Sequence, residues 1–372
     1  MHHSGTFRRA EAVLDLNSKY WNIAFTSMLR QTQGSVWGNW GLHPEVRPGA
    51  LGILNPETGD FKFVADIVSP KIVTIDSSQD WSMESSSVRQ QDSSVDFKGG
   101  YIDPSTGTKV DVGLETKWSF ERAGSILSRA TISGDVLVDD FGTLLRDQYA
   151  YVHQKAESVG KTTAAGIVQG FGMITRVTRC KGVVNLGSMT DSSTFSITGS
   201  VDGVNSMTGS GDAYAGVKGS YKDTQKNGSF DTHLFPSAAN TVEVDDAPLT
   251  FDFASFDGKL IIPQWTGPVS PLSLTFDNGH GGTYIVECKV TYDTPDAKDQ
   301  VKEISVWGGQ SHTIGGIPLD ASNLRVTMHF KAGDTLFLSE ARPLTAWPQG
   351  RRTIDLSGVW PWSCDAAWRM GE

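Results

Sequence analysis

The clearest alternation of apolar and polar residues in the chain runs from Val110 to Phe120. Charged residues fill most positions of one parity, and the other parity carries large apolar side chains at Val110, Val112, Leu114, Trp118 and Phe120. A period of two predicts a β-strand with one buried and one solvated face. At roughly 3.3 Å per residue the strand is about 35 Å long, and an amphipathic strand of about 9–11 residues can also cross a bilayer when tilted.

A second strand precedes this one, so the pattern predicts one long hairpin over about residues 81–120. The segment Asp103-Pro104-Ser105-Thr106-Gly107 is a strong turn signal between the two arms. The outgoing arm, Ser82 to Ser94, is unusually polar. Two interpretations stay open. The pattern alone favours a surface hairpin of an antiparallel sheet; the alternative is a segment that folds in water and refolds into a membrane hairpin.

A second hairpin with a similar residue pattern is predicted over about residues 183–235. A long strand over residues 165–185 precedes it. The hairpin is rich in Gly, Ser and Thr, and Asn227-Gly228 is a tight-turn signal within it. Its alternating apolar positions are Phe195, Ile197 and Val201. Because both hairpins are long, polar and alternating, the apolar positions of both are candidate membrane-inserting residues.

Two helices are predicted among these strands. Apolar residues recur at helical spacing over about residues 8–31, and Gly34 ends the run. The basic residues of this helix are either ordinary solvated charges or contacts to an anionic lipid surface: Arg8, Arg9, Lys19 and Arg30. Asp139 and Asp140 predict the cap of a second helix that ends at Gly160.

Residues 263–271 contain three prolines and a glycine, which predicts a linker between two domains, 1–262 and 272–372. The second domain alternates short apolar runs with turns, which predicts a β-sandwich. The fold class is therefore α+β and rich in β-structure, with a twisted antiparallel sheet, long polar hairpins and two main helices ahead of the sandwich. The tryptophans of this domain are either core residues or recognition residues, and the candidates for recognition are Trp307, Trp347, Trp360 and Trp362.

Composition and charge exclude several classes of function. The 372 residues carry 32 basic and 42 acidic side chains, a formal charge of −10, which argues against a nucleic-acid partner. The three cysteines are far apart, so neither a disulfide framework nor a zinc site is expected. Histidines are scattered without a catalytic spacing, so we expect no enzyme, no cofactor and no metal. Without a signal-like or long apolar segment, we expect synthesis as a soluble protein in the cytoplasm.

The order of elements in residues 8–262 resembles the pore-forming domain of gasdermins and, more widely, the perforin and cholesterol-dependent cytolysin group. The segments that carry the resemblance are 139–146, 172–179, 227–230 and 248–253. Residues 281–286 and 317–326 are similar to the terminal β-sandwich of the cytolysins, whereas animal gasdermins have a helical inhibitory domain there. The tryptophan-rich undecapeptide of those toxins is missing.

The resemblance implies a protein that binds a lipid membrane, forms a homo-oligomer there and inserts its two hairpins to open a pore. The C-terminal sandwich either recognises the target surface, which its tryptophans favour, or inhibits the first domain until the linker is cut. A different class of function also fits the residues: a non-enzymatic binding module that recognises glycans or proteins and forms no pore.

Overall fold

A computed structural model describes residues 18–102, 109–199, 204–205, 221–226, 230–236, 246–269, 271–279, 282–294, 297–340, 344, 347, 350–359 and 362–370. The described part contains three helices and 23 strands, which confirms the predicted α+β, β-rich class. The helices are α1 (Ser18–Gln33), α2 (Phe141–Asp147) and α3 (Tyr149–Ser158).

The 23 strands span both parts of the chain. The first half comprises β1 (Trp37–Gly38), β2 (Ala50–Leu54), β3 (Phe61–Asp66), β4 (Ile72–Glu84), β5 (Val88–Ile102), β6 (Lys109–Phe120), β7 (Ile126–Val138), β8 (Thr162–Thr163), β9 (Gly166–Ile167), β10 (Phe171–Ser188), β11 (Ser193–Gly199) and β12 (Tyr221–Lys226). The second half comprises β13 (Phe230–Phe235), β14 (Ala247–Asp257), β15 (Leu260–Ile262), β16 (Leu272–Asp277), β17 (Val286–Asp293), β18 (Gln300–Val306), β19 (Ser311–Ile317), β20 (Ser322–Phe330), β21 (Thr335–Ser339), β22 (Arg351–Ser357) and β23 (Asp365–Trp368).

The helix predicted after Asp139 is confirmed, although it is divided in two. The Asp140 carboxylate accepts a hydrogen bond from the Thr143 backbone N–H at 3.3 Å, which satisfies one of the free amides of the first turn. Gln148 separates α2 from α3, and its side chain bonds the backbone N–H and carbonyl of Val68. The first predicted helix is confirmed over α1, and its earlier residues lie outside the described ones.

Two sheets form the first part of the chain. The larger has nine strands, with β10 at its centre, and the smaller has four in the order β12-β11-β6-β5. The hairpin predicted over residues 81–120 is present as β5 and β6, in which Val88 pairs with Phe120. Helix α1 packs on the larger sheet through Trp21, Phe25 and Leu29.

The predicted β-sandwich is confirmed. Its two four-stranded sheets have the orders β19-β16-β22-β23 and β18-β17-β20-β21. Alternate residues of each strand point into a shared core, as in β20, where Leu324, Val326 and Met328 are buried. Strand β23 was not predicted from the sequence, and neither was the parallel pairing of β16 with β22.

The segment predicted as a linker is packed against the larger sheet. Trp265 is only 1% exposed, and its carbonyl accepts a hydrogen bond from Trp37 Nε1 at 2.8 Å. The Gln169 side chain bonds the indole N–H of Trp265 and both backbone groups of Val269. The chain therefore passes into the sandwich through a fixed, hydrogen-bonded segment.

Candidate functional site

Four chain segments leave the larger sheet and continue directly into the smaller one. The edge strand β4 continues as β5, β7 is the continuation of β6, β10 continues as β11, and β13 is the continuation of β12. The order across the larger sheet is β4-β7-β10-β13, and the order across the smaller is β5-β6-β11-β12. The smaller sheet is therefore an extension of the larger one, interrupted by a bend that we call the elbow. In the described residues the elbow comprises 85–87, 121–125 and 189–192.

Serine side chains hold the elbow together. The hydroxyls of Ser87 and Ser125 lie 2.6 Å apart, which links the two arms of the first hairpin. The hydroxyls of Ser188 and Ser193 are also hydrogen-bonded, and they bridge the bend within a single chain segment. Asp191 accepts a hydrogen bond from the Ala123 backbone N–H at 2.7 Å, which joins the two hairpins.

The apolar face of the smaller sheet is folded inward. Four of the predicted inserting residues are buried in one cluster: Trp118, Phe120, Phe195 and Ile197. They pack on Leu127, Val184 and Leu186 of the larger sheet. Lys117, of the opposite parity, is exposed, which confirms the predicted alternation in this part of the strand.

Of the remaining predicted inserting residues, the structure describes the side chain of Leu114 alone. Leu114 is half-buried and packs on the same cluster. Val110 and Val112 belong to β6, but their side chains lie outside the described part of the structure. Val201 lies outside the described residues.

Beyond Val88, which is paired with Phe120 and buried in the same cluster, the edge strands of the smaller sheet do not continue the apolar face. Residues paired across a sheet share a face, and Trp118 is paired with Gln90 and Thr116 with Asp92. On the other side Ile197 is paired with Asp223. At these paired positions the apolar face is therefore only two strands wide, which the alternation within β6 alone could not reveal.

The opposite face of the larger sheet carries α1 close to the elbow. The Tyr20 hydroxyl donates to the carbonyl of Gly124 at 3.1 Å. The Trp21 indole lies against Gly187, where an added Cβ would come within 2.6 Å of a ring carbon. Glycine is needed at this strand position because the helix approaches the backbone so closely.

A chain of polar groups connects three strands beneath α1. Ser128 donates to Asn185 Oδ1 at 2.6 Å, and Asn185 Nδ2 donates to the Trp40 carbonyl at 2.9 Å. The Trp40 indole N–H then donates to Asp231 Oδ2 at 2.6 Å, which also lies 3.2 Å from His233 Nε2. Burial raises the pKa of Asp231, but the hydrogen bonds from His233 and Trp40 outweigh it and lower that pKa.

Arg30, predicted as a lipid contact, does not face the surface. The Arg30 guanidinium lies 4.1 Å from the ring centroid of Trp37 and donates to the carbonyls of Val36 and Thr266. Burial lowers its pKa to about 10. The Arg30 side chain therefore points into the protein, where these contacts fix the end of α1. The Lys19 side chain lies outside the described part, as do Arg8 and Arg9.

Exposed apolar residues gather at the end of the sandwich farthest from residues 263–271, which we call the tip. Strand β16 starts beside that segment and runs to the tip, where hydrogen bonds join its loops, including Thr283 N to Gly358 O and Gly309 N to Asn278 O. Trp307 and Trp362 are 57% and 83% exposed there, and Val359 is also exposed.

The other two recognition candidates differ. Trp347 is 3% exposed, and its indole N–H donates to Glu340, so it is a core residue and not the recognition residue that was predicted. It belongs to a buried cluster in which Arg352 pairs with Glu340 and lies over the Trp368 ring. Trp360 lies outside the described residues.

In the described part of the chain, no group of three or more His, Cys, Asp or Glu residues could hold a metal ion. The three cysteines are free, and burial raises the pKa of Cys288 to about 12. Among the described helices, none is both long and apolar enough to span a bilayer.

No protein-family model matches the sequence, and no curated protein matches it with significance. Solved structures that align with the chain include wild-type pneumolysin, with 9% identity, 90% of this chain and 86% of that chain covered, and a TM-score of 0.23. Suilysin from Streptococcus suis aligns with 11% identity, 90% and 87% coverage, and a TM-score of 0.20. Listeriolysin O aligns with 10% identity, 77% and 66% coverage, and a TM-score of 0.21. We therefore base the function on the geometry of this chain.

Proposed function

We propose that this protein permeabilises lipid membranes by adding its two hairpins to a β-barrel that several copies build together. The observation that carries the proposal is the shared order of the two sheets, in which four strands continue across the elbow into an extension with a concealed apolar face. In this proposal the elbow straightens and each pair of strands becomes one long barrel strand. The chain acts without catalysis.

The extension needs a new apolar partner once it leaves the larger sheet. Trp118, Phe120, Phe195 and Ile197 lose their contacts with β7 and β10 when the elbow straightens. Exposing such side chains to water costs about 1.5–3 kcal/mol each. Lipid acyl chains can replace the lost contacts, whereas the exposed charges of the opposite face fit a water-filled lumen.

The polarity of β5 limits how deep the extension enters the bilayer. From Arg89 to Ser94 both faces of β5 are polar, so this stretch remains outside the hydrocarbon in our proposal. Beyond Ser94 the register shifts: Asp96 is paired with Val112, and after the shift the aromatic residue Tyr101 is paired with Val110. We therefore place the membrane-crossing part of the first hairpin in the outer segment of the predicted 81–120 range.

Assembly follows from the two edges of the four-strand unit. In the described residues β4 pairs only with β7, and its Ile72 and Ile75 side chains are exposed. On the other side, β13 pairs only with β10. An unpaired edge is a template for another strand, and two different edges give the head-to-tail contacts that close into rings. The partner proposed here is a second copy of the chain.

The sandwich provides initial contact with the membrane in this proposal. Tryptophan is favoured at the boundary between water and hydrocarbon, and Trp307 and Trp362 are both exposed at the tip. A recognition role is favoured over inhibition because the cluster that buries the hairpin face contains no sandwich residue among those described. The buried Trp265 also makes residues 265–268 a poor protease site.

A binding module without pore formation is the second candidate. It is favoured by Asp92 and Asp223, which share the apolar face and suit an extension that stays in water. Dye release from liposomes separates the candidates, and electron microscopy of the liposomes should show rings. Binding without dye release and without rings would contradict the pore proposal.

A further inference from the structure

The outer face of the sheet β18-β17-β20-β21 is a polar surface with one large exposed aromatic residue. Alternate residues of these strands point away from the sandwich core. Register places Lys289 beside Thr327, and Thr327 beside Phe337, in one row across the sheet. Phe337 is 72% exposed, which is unusual for phenylalanine.

Two shallow hollows adjoin on this face at Thr327. One, of about 550 Å³, is lined by Thr291, Asp299, Arg325, Thr327, Phe337 and Ser339, among others. The other, of about 490 Å³, lies on the side of Lys289 and Glu303. Both volumes are in the range of small-molecule sites. The first hollow places an aromatic ring beside hydroxyls, a guanidinium and a carboxylate.

The lysine and the arginine that line these hollows are each paired with an acidic side chain. Arg325 Nη2 lies 2.6 Å from Asp299 Oδ1, and Lys289 Nζ lies 3.4 Å from Glu303 Oε1. An anionic ligand would meet the acidic partners, and a cationic ligand would meet the basic ones. The face therefore suits a neutral ligand that can both donate and accept hydrogen bonds while offering a flat apolar surface to Phe337.

The position of this face beside the tip indicates where such a ligand would come from. Strand β21 starts at the tip, and Phe337 is its third residue, about 7 Å along the strand. The face is therefore on the side of the sandwich next to the tip, and not on the end surface of the tip itself. A tip resting on a membrane would hold Phe337 at the height of groups that project from lipid headgroups.

We propose that this face binds the neutral oligosaccharide headgroup of a membrane glycolipid. Phe337 stacks on the C–H face of a sugar ring, and the Arg325–Asp299 pair hydrogen-bonds neighbouring hydroxyls. The inference rests on the proposed membrane docking for the source of the sugar, but not for binding itself. The two can therefore fail separately.

The test is binding of the full chain to an array of immobilised neutral oligosaccharides. We expect the wild-type protein to bind at least one of them, with about tenfold weaker binding for Phe337→Ala. Phe337→Trp should retain binding, and Arg325→Gln should weaken it. Val301→Ala, at an exposed position on β18 of the same sheet, is the matched control and should bind like the wild type. Unchanged circular dichroism and thermal unfolding show that each variant is folded.

Several results would overturn the inference. These are an absence of wild-type binding to every neutral oligosaccharide, equal binding by folded Phe337→Ala, and binding restricted to acidic glycans or to a membrane protein stripped of glycans. Vesicles of phosphatidylcholine without glycolipid separate this inference from the pore proposal, because Phe337→Ala should release dye from them at the wild-type rate. A loss of release there would make Phe337 a lipid contact and refute the sugar site. Sugar binding by a protein that never releases dye would leave this inference standing and remove the pore proposal.

Discussion

The rings of Trp118 and Phe195 lie 6.3 Å apart, centroid to centroid, and the two residues are direct partners across β6 and β11. The first belongs to one predicted hairpin and the second to the other. Their contact makes the two hairpins a single four-stranded unit before any membrane is present. In the proposed mechanism this unit moves as one body about the elbow.

The first prediction concerns insertion of β6. Leu114→Arg should abolish dye release, because an arginine facing hydrocarbon costs about 2–4 kcal/mol near the bilayer midplane. Vesicle binding should persist. Glu115→Arg places the same charge on the neighbouring, opposite-face position and should still permit release. Full release by folded Leu114→Arg would show that this face does not meet lipid.

The second prediction concerns the elbow. Residues 188 and 193 are hydrogen-bonded through their hydroxyls, but in a straight strand they would be about 16 Å apart. A disulfide in the double variant Ser188→Cys, Ser193→Cys should therefore hold the bend and prevent dye release. A reducing agent should restore release, and each single variant serves as a control. If the oxidised double variant releases dye at the wild-type rate, the elbow does not straighten.

The third prediction concerns docking of the tip. Trp362→Ala should weaken flotation with liposomes about tenfold, because an indole in the interface contributes about 1.5 kcal/mol or more. Trp307→Ala should act in the same direction. Met370→Ala is the matched control, since Met370 is 94% exposed but follows the other end of β23. Equal losses for Met370→Ala and Trp362→Ala would contradict docking through the tip.

The fourth prediction concerns the pH dependence of stability. The lowered pKa of Asp231 means that its ionised form stabilises the fold above the unfolded pKa, about 3.9, and that this contribution is lost as pH falls through the folded pKa. Asp231→Asn should therefore lower the free energy of unfolding at pH 7, and the difference from wild type should shrink below about pH 4. Denaturant unfolding at several pH values measures it. If the free energies of unfolding of wild type and variant differ by the same amount at every pH, the charge of Asp231 does not stabilise the fold.

Local patterns predicted much of the fold because they depend on a few neighbouring residues. The alternation in Val110–Phe120 predicted which side of β6 is buried at Trp118 and Phe120. The acidic cap at Asp140 likewise predicted the start of α2. Both follow from short-range geometry, which the sequence shows directly.

The missed features depend on partners far away in the chain. The sequence does not show that Asp92 is beside Thr116, so the narrow apolar face of the smaller sheet was not predicted. Arg30 is basic and helical, but its contact with Thr266, which diverts it from the surface, comes from more than two hundred residues later. Trp347 is of a residue type common at recognition surfaces, and only its packing beside Glu340 shows that it is a core residue.

The parallel pairing of β16 with β22 also has a mechanical consequence. Strand β16 follows residues 263–271, runs to the tip and is flanked on both sides, by β19 and β22. A pull on that segment while the tip is held loads the hydrogen bonds of both pairs lengthwise, in shear, so that many must fail together. In the proposed docking, the sandwich can thus transmit tension between the tip and the larger sheet without unravelling from its first strand.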